Sequence, residues 1–168
     1  MIPATAAPEG TMSMATTATI PSGGSVGGDQ MLGGKNNDVA YGEAGKDDVY
    51  GNTGNDAVFG GAGDDTLFGG AGTDTLVGGQ GKDTLNGGGG KDVFVFAEND
   101  GTDKVTGFKG VDRLDLKAFE FASKGAALDA FVEVESGADS HILFRAKDTK
   151  VHVHGLDLDD LGVGDLIL

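Results

Sequence analysis

An aspartate recurs at every ninth residue: Asp29, Asp38, Asp47, Asp56, Asp65, Asp74, Asp83 and Asp92. Each closes a glycine-rich stretch and is followed two residues later by an apolar side chain: Met31, Ala40, Val49, Val58, Leu67, Leu76, Leu85 and Phe94. Carboxylates are hard oxygen donors, and glycine turns with φ > 0 present backbone carbonyls as further oxygens. This donor set suits calcium, which takes roughly 6–8 oxygen ligands at about 2.3–2.6 Å. The chain has no cysteine, so thiolate zinc and iron–sulfur sites are excluded.

Cut at nines from Gly24 to Val95, the chain reads GSVGGDQML, GGKNNDVAY, GEAGKDDVY, GNTGNDAVF, GGAGDDTLF, GGAGTDTLV, GGQGKDTLN and GGGGKDVFV. Position one is always glycine, and position four is glycine except at Asn36. The first six residues read as a turn, and the last three as a very short strand with one inward side chain. Two repeats then make one coil, strands pair with the repeat two along, and the loops stack in two columns. One column carries Asp29, Asp47, Asp65 and Asp83; the other carries Asp38, Asp56, Asp74 and Asp92. Carboxylates one strand spacing apart, ~4.8 Å, repel each other and call for a cation between them. A flexible glycine linker has no reason to keep glycine, aspartate and an apolar residue all in phase.

The fold class expected is all-β: a parallel β-roll, or β-helix solenoid, of eight nonapeptides with a C-terminal β-rich cap. Residues 1–23, Ala/Thr-rich and without Lys or Arg, read as a disordered lead or linker, residues 24–95 as the roll, and residues 96–168 as the cap. Short strands are expected around Lys104–Phe108, Arg113–Leu116, Phe131–Glu135, His141–Phe144 and Lys150–His154, with helical turns near Leu116–Phe121 and Ala126–Ala130. Ala146–Thr149 reads as a hairpin turn. Asp103, Asp112 and Asp115 could complete an end calcium site, although a solvated acidic face is the more ordinary reading.

The repeat resembles the RTX nonapeptide, G-G-x-G-x-D-x-U-x, of calcium-binding β-rolls in secreted Gram-negative proteins. DVFVF, DKVTGF, GVDRLDL and the final GLDLDDLGVGDLIL resemble the C-terminal region of serralysin-type proteases and alginate epimerase R-modules. The resemblance implies one ion between each loop and the loop two along. The first loop would give its Asp and the carbonyls of positions one and three, the second its Asp and those of positions two and four. Carried over, Gly60, Ala62 and Asp65 would face Gly79, Gly81 and Asp83, and Gly69, Ala71 and Asp74 would face Gly88, Gly90 and Asp92. Earlier intervals would use Gly42 and Ala44 with Gly61 and Gly63, and Gly51 and Thr53 with Gly70 and Gly72. About six calcium ions result, with weaker sites toward the N-terminus, where Ser25, Asn36, Glu43 and Asn52 replace glycine. The resemblance also implies type I export, with Asp165-Leu166-Ile167-Leu168 resembling the uncleaved signal.

The net charge of −15 argues against nucleic-acid and anionic-membrane partners. No apolar run is long enough to span a bilayer, and Met1–Gly23 lacks the features of a cleaved secretory signal. Self-repulsion should keep the metal-free chain unfolded until calcium binds. Extracellular modules bind at roughly 10⁻⁴–10⁻³ M, which suits a chain unfolded inside the cell and folded outside.

No catalytic residues are assigned. Gly23-Gly24-Ser25-Val26-Gly27 matches G-x-S-x-G but lacks the strand, helix and His–Asp partners that the motif needs. No H-E-x-x-H is present. His152 and His154, with His141, could offer imidazoles to a metal, but the alternation Val151/His152/Val153/His154 reads more simply as core-in, polar-out. Position nine carries Tyr41, Tyr50, Phe59 and Phe68, a ladder that either stabilises the sheet or holds a sugar chain. Two readings remain: a secreted calcium-folded structural and export module, or a polysaccharide-binding module of a larger secreted enzyme whose catalytic domain lies N-terminal.

Overall fold

The structure, a computed structural model, describes residues 11–13, 27–134, 141–154, 161–162 and 164–168. The strands are β1 (Thr11–Ser13), β2 (Gln30–Lys35), β3 (Val39–Ala44), β4 (Asp48–Thr53), β5 (Ala57–Ala62), β6 (Thr66–Gly72), β7 (Thr75–Gln80), β8 (Thr84–Gly90), β9 (Val93–Val95), β10 (Thr102–Thr106), β11 (Arg113–Asp115), β12 (Phe131–Val134), β13 (His141–Ala146), β14 (Thr149–His154) and β15 (Leu166–Ile167). A 3₁₀ turn at Lys117–Phe119 and the helix α1 (Lys124–Leu128) follow β11. Among the described residues no helix is long and apolar enough to cross a membrane.

Consecutive repeats alternate between two sheets, as the period requires. The first sheet has the order β1-β2-β4-β6-β8-β10-β14-β13-β12, the second β15-β11-β9-β7-β5-β3. Within the roll each strand pairs in parallel with the strand eighteen residues on, as in Val49↔Leu67 and Val58↔Leu76. All eight position-eight side chains are buried between the sheets. Each large one contributes about 1.5–3 kcal/mol.

Most of the roll's strands are longer than the three residues expected. They run from position seven across the repeat boundary to position three, so β5 spans Ala57–Ala62 with Val58 and Gly60 both facing inward. Position-one glycine keeps the chain extended and leaves no side chain in the space beside the aspartate. The sharp turn is thereby confined to positions four to six.

The parallel stack also continues past Val95. β10 pairs with β8 and β11 with β9; β14 and β15 then extend the two sheets. Val105, Leu114, Val153 and Leu166 prolong the two core rows. Beyond them, β12, β13 and β14 form an antiparallel meander, with the Ala146–Thr149 hairpin as expected. Phe119 and Phe131 pack on Phe144 at 5.1 Å each, and Phe94 meets Phe108 at 5.9 Å, joining roll to cap.

Three residues of the segment read as a disordered lead form a strand instead. β1 adds to the open edge of β2 through Thr11↔Gln30, Met12↔Met31 and Ser13↔Leu32, because an uncovered parallel edge offers unpaired N–H and C=O groups. The rest of 1–26, including Gly24–Val26 of the first repeat and most of the G-x-S-x-G match, lies outside the described residues, as does 155–160 of the closing motif. Asp165–Leu168 ends on β15, an edge strand held by Leu114 N–H to Asp165 O at 2.7 Å and Leu116 N–H to Ile167 O at 2.8 Å.

Candidate metal centre

The aspartates form the two columns expected, and each is tied to its neighbour in the same way. The backbone N–H of one donates to Oδ1 of the next: Asp47 to Asp65 at 2.8 Å, Asp65 to Asp83 at 2.9 Å, Asp56 to Asp74 at 2.8 Å, Asp74 to Asp92 at 3.0 Å. This fixes the carboxylate through Oδ1. Oδ2 of Asp47, Asp56, Asp65, Asp74, Asp83 and Asp92 is buried without a hydrogen-bond partner. Leaving even one such group unpaired inside a protein is expensive, and an unpaired charge far more so.

The carboxyl groups respond accordingly. Burial pushes Asp65 and Asp74 up to about 6 and Asp83 to about 7; the backbone N–H offsets part of this, and the neighbouring aspartates add to it. Asp47, Asp56 and Asp92 are raised for the same first reason.

The glycines shape the space beside each Oδ2. A Cβ at Gly60 would lie 2.5 Å from Asp65 Oδ2 and 2.6 Å from Gly78 O; one at Gly69 would lie 2.5 Å from Asp74 Oδ2 and 2.7 Å from Gly87 O. Gly42 and Gly51 occupy equivalent places. Positions two and four hold left-handed backbone in repeats two to eight, including the non-glycines Asn36, Glu43 and Asn52 at φ 78, 73 and 77°. The substituted early loops therefore keep the turn geometry, at about 1–2 kcal/mol of strain per residue.

Carbonyl directions reverse the expected division of labour. A Cβ on Gly79 or Gly81 would overlap the oxygens of Gly61 and Gly63, so positions two and four of loop five face forward to loop seven. Likewise Gly70 and Gly72 of loop six face loop eight. Gly60 O faces back toward Gly42, and Ala62 O accepts the N–H of Gly45 at 2.9 Å; Ala44 and Ala71 point back to Gly27 and Gly54 in the same way. The interval between loops five and seven thus faces Asp65, Gly61 and Gly63 toward Asp83, Gly78 and Gln80. Gly79, Gly81, Gly88 and Gly90 belong to the next loops' intervals, and Thr53 shares the place of Ala62 in its own repeat. The cause is the strand running through the repeat boundary, which turns alternate carbonyls to opposite sides.

One feature lies beyond the sequence reading, and another takes up its less ordinary alternative for the cap aspartates. Position five forms an outer ladder in which Asn37 Oδ1 accepts the N–H of Asn55, Asn55 Oδ1 that of Thr73, and Asp64 Oδ1 that of Lys82, at 2.8, 2.8 and 3.0 Å. Moreover, Asp103 and Asp112 are buried members of the columns, not a solvated face: their Oδ1 atoms accept the N–H groups of Asp83 and Asp92 at 3.1 and 3.0 Å. Glu98–Thr106 and Gly107–Asp115 are a ninth and tenth nonapeptide, ENDGTDKVT and GFKGVDRLD. The surviving D-x-U signal was hidden by the two extra residues Phe96-Ala97 and by lost glycines. Asp115 does not join; it pairs with Lys117 at 3.1 Å.

On the outer faces Tyr41 stacks on Phe59 at 4.8 Å and Tyr50 on Phe68 at 5.0 Å. His154 lies opposite His141 and His152 opposite Leu143, with Val151 and Val153 turned into the core. Among the described residues no three His, Asp or Glu side chains converge. A cation in the columns would be held by two carboxylates per interval plus backbone carbonyls. The orphaned oxygens and the glycine-lined space fit that purpose.

A two-column parallel solenoid with a carboxylate in every loop is a cation-binding repeat architecture. Residues 23–58 and 59–94 each match the family described as RTX calcium-binding nonapeptide repeat (4 copies), and this region consists of such repeats, which bind calcium. No curated protein sequence matches the chain. Among solved structures, the AlgE6R2 subunit of the Azotobacter vinelandii mannuronan C5-epimerase is 23% identical over 86% of this chain and 90% of its own, with a TM-score of 0.51. The AlgE6R3 subunit of that epimerase is 22% identical over 93% and 86%, TM-score 0.47. The extracellular lipase LipA of Serratia marcescens is 21% identical over 86% of this chain, TM-score 0.49, and the chain spans 39% of its length.

Proposed function

We propose that the chain is the calcium-folded module of a secreted protein, exported unfolded by a type I route and locked into its β-roll by extracellular calcium. It acts as a structural and export element attached to a larger enzyme and carries out no chemistry itself. The row of buried, unpartnered Oδ2 atoms supports this reading: a cation beside them would satisfy carboxylate oxygens that the protein leaves unpaired. About six ions in the eight loops would add +12 to a net charge of −15. Millimolar calcium then both fills the sites and removes the self-repulsion. The test is far-UV circular dichroism from chelator to about 10 mM calcium, above the roughly 10⁻⁴–10⁻³ M range of extracellular modules, with magnesium as control. A cooperative coil-to-β transition with calcium alone is expected. A β spectrum already present in chelator and unmoved by calcium would end the reading. For export, removing Asp165–Leu168 should block release through a co-expressed type I transporter; undiminished release would remove the export role.

A second reading, polysaccharide binding, is favoured by the stacked pairs Tyr41–Phe59 and Tyr50–Phe68, whose faces lie parallel within 11° and 4°. Tyr50→Ala/Phe68→Ala should then abolish retardation of the calcium-loaded chain in a mannuronan gel. Equal retardation of both proteins would leave the pairs a sheet-stabilising role.

A further inference from the structure

We infer that the ninth loop, Glu98–Thr106, builds an additional divalent-cation site against the seventh loop, beyond the repeats that end at residue 94. This rests on the calcium reading above. The loop keeps the features that shape the others. Asn99 and Gly101, at positions two and four, have φ 68 and 110°. Asp100 O accepts the N–H of Gly81 at 2.7 Å, the bond that position three makes at Ala44, Ala62, Ala71 and Gln80. A Cβ at Gly101 would overlap Gly81 O, so that carbonyl faces the ninth loop. Asp103 takes the place of the column aspartate: it is 1% exposed, Oδ1 accepts the N–H of Asp83 at 3.1 Å, and Oδ2 is buried with no partner. Asp100 is buried too, but its Oδ2 is taken by the N–H of Ala97 at 2.6 Å.

The interval therefore collects the Asp83 and Asp103 carboxylates and the Gly81 carbonyl, which also accepts the N–H of Thr102 at 3.1 Å. Above it the column cannot continue, because Val151 stands opposite Asp103 in the next strand. An ion here would join the last coil of the roll to the hairpin, since Thr149 Oγ1 donates to Ala97 O at 2.8 Å and Lys147 Nζ meets Glu98 Oε1.

The other column closes differently, which makes it the internal control. Lys109 Nζ reaches Gly88 O, the forward-facing carbonyl of the eighth loop, and the Lys109 N–H donates to Asp112 Oδ2 at 2.8 Å. Asp112 thus has partners on both oxygens, and the Lys109 ammonium supplies the positive charge that an ion supplies elsewhere.

Native mass spectrometry of the full chain in excess calcium counts the ions. Asp103→Asn, which keeps the Oδ1 acceptor, should bind one ion fewer than the unaltered chain, whereas Asp112→Asn should bind the same number. An unchanged count in Asp103→Asn overturns the site. Equal loss in both variants overturns it too, by assigning the loss to a weakened cap. If Asp103→Asn does not fold, the ion count of the unaltered chain decides: one ion beyond the six of the eight loops supports the site, and six or fewer overturns it. An unaltered chain that binds no calcium at all defeats the calcium reading itself, a failure visible without any variant.

Discussion

Removing calcium should make folding depend on protons, in a direction that the columns fix. In the folded chain burial holds the carboxyls of Asp65 and Asp74 at about 6, Asp83 at about 7 and Asp103 at about 8, whereas the unfolded chain titrates them near 3.8. Between about pH 4 and 8 the metal-free folded state binds more protons than the unfolded state, so its stability falls as pH rises through that window. The shift to about 6 is worth about 3 kcal/mol for Asp65 and again for Asp74. Neighbours in one column share part of this cost, so the four groups together reach on the order of 10 kcal/mol, comparable to the ~5–15 kcal/mol stability of a whole domain. The metal-free chain should therefore be unfolded at pH 7.5 and regain β structure near pH 5, above its isoelectric point of about 4.2. Calcium at pH 7.5 replaces the protons, and its midpoint should rise as pH falls toward 5. Circular dichroism of the metal-free chain across this range measures the first effect, and calorimetric calcium titrations at each pH measure the second. A metal-free chain as unfolded at pH 5 as at pH 7.5 would refute the claim that carboxylate charge is what opposes folding.

Three further outcomes test the parts separately. Gly60→Ala places a Cβ 2.5 Å from Asp65 Oδ2; it should lose one ion and about 1–3 kcal/mol, read by ion counting and urea unfolding in saturating calcium. Glu43→Gly relieves a side chain held at φ 73°; a gain of about 1 kcal/mol should lower the calcium midpoint of folding, and an unchanged midpoint would mean that the early loops do not limit assembly. Leu76→Ala, fully buried, should cost about 2–5 kcal/mol in saturating calcium, and a cost below about 1 kcal/mol would contradict the packed core.

The period alone made the roll legible, because a nine-residue phase leaves one way to stack Asp29 through Asp92 and to pair Tyr50 with Phe68. The hairpin at Lys147-Asp148 was equally local. Carbonyl direction was not legible: it depends on strands crossing the repeat boundary, and a glycine at position one or two looks the same in sequence whichever way its C=O turns. Asp103 and Asp112 stood in the sequence only as a lesser end-site alternative, because eleven residues, not nine, separate Asp92 from Asp103, and because Glu98, Asn99 and Asp100 hide a loop whose left-handed turns survive. Strand β1 gave no sequence signal, since it exists by completing an edge.

From Ala40 the inward row grows along the chain, through valines and leucines to Phe94, while the strained Asn36, Glu43 and Asn52 all lie in its first half. Contacts in such a stack run only between adjacent coils, so its stability is a sum of local terms that here increase toward the cap. The molecule is thus a zipper with one sewn end. Folding should therefore start at the capped end and run toward the N-terminal coils.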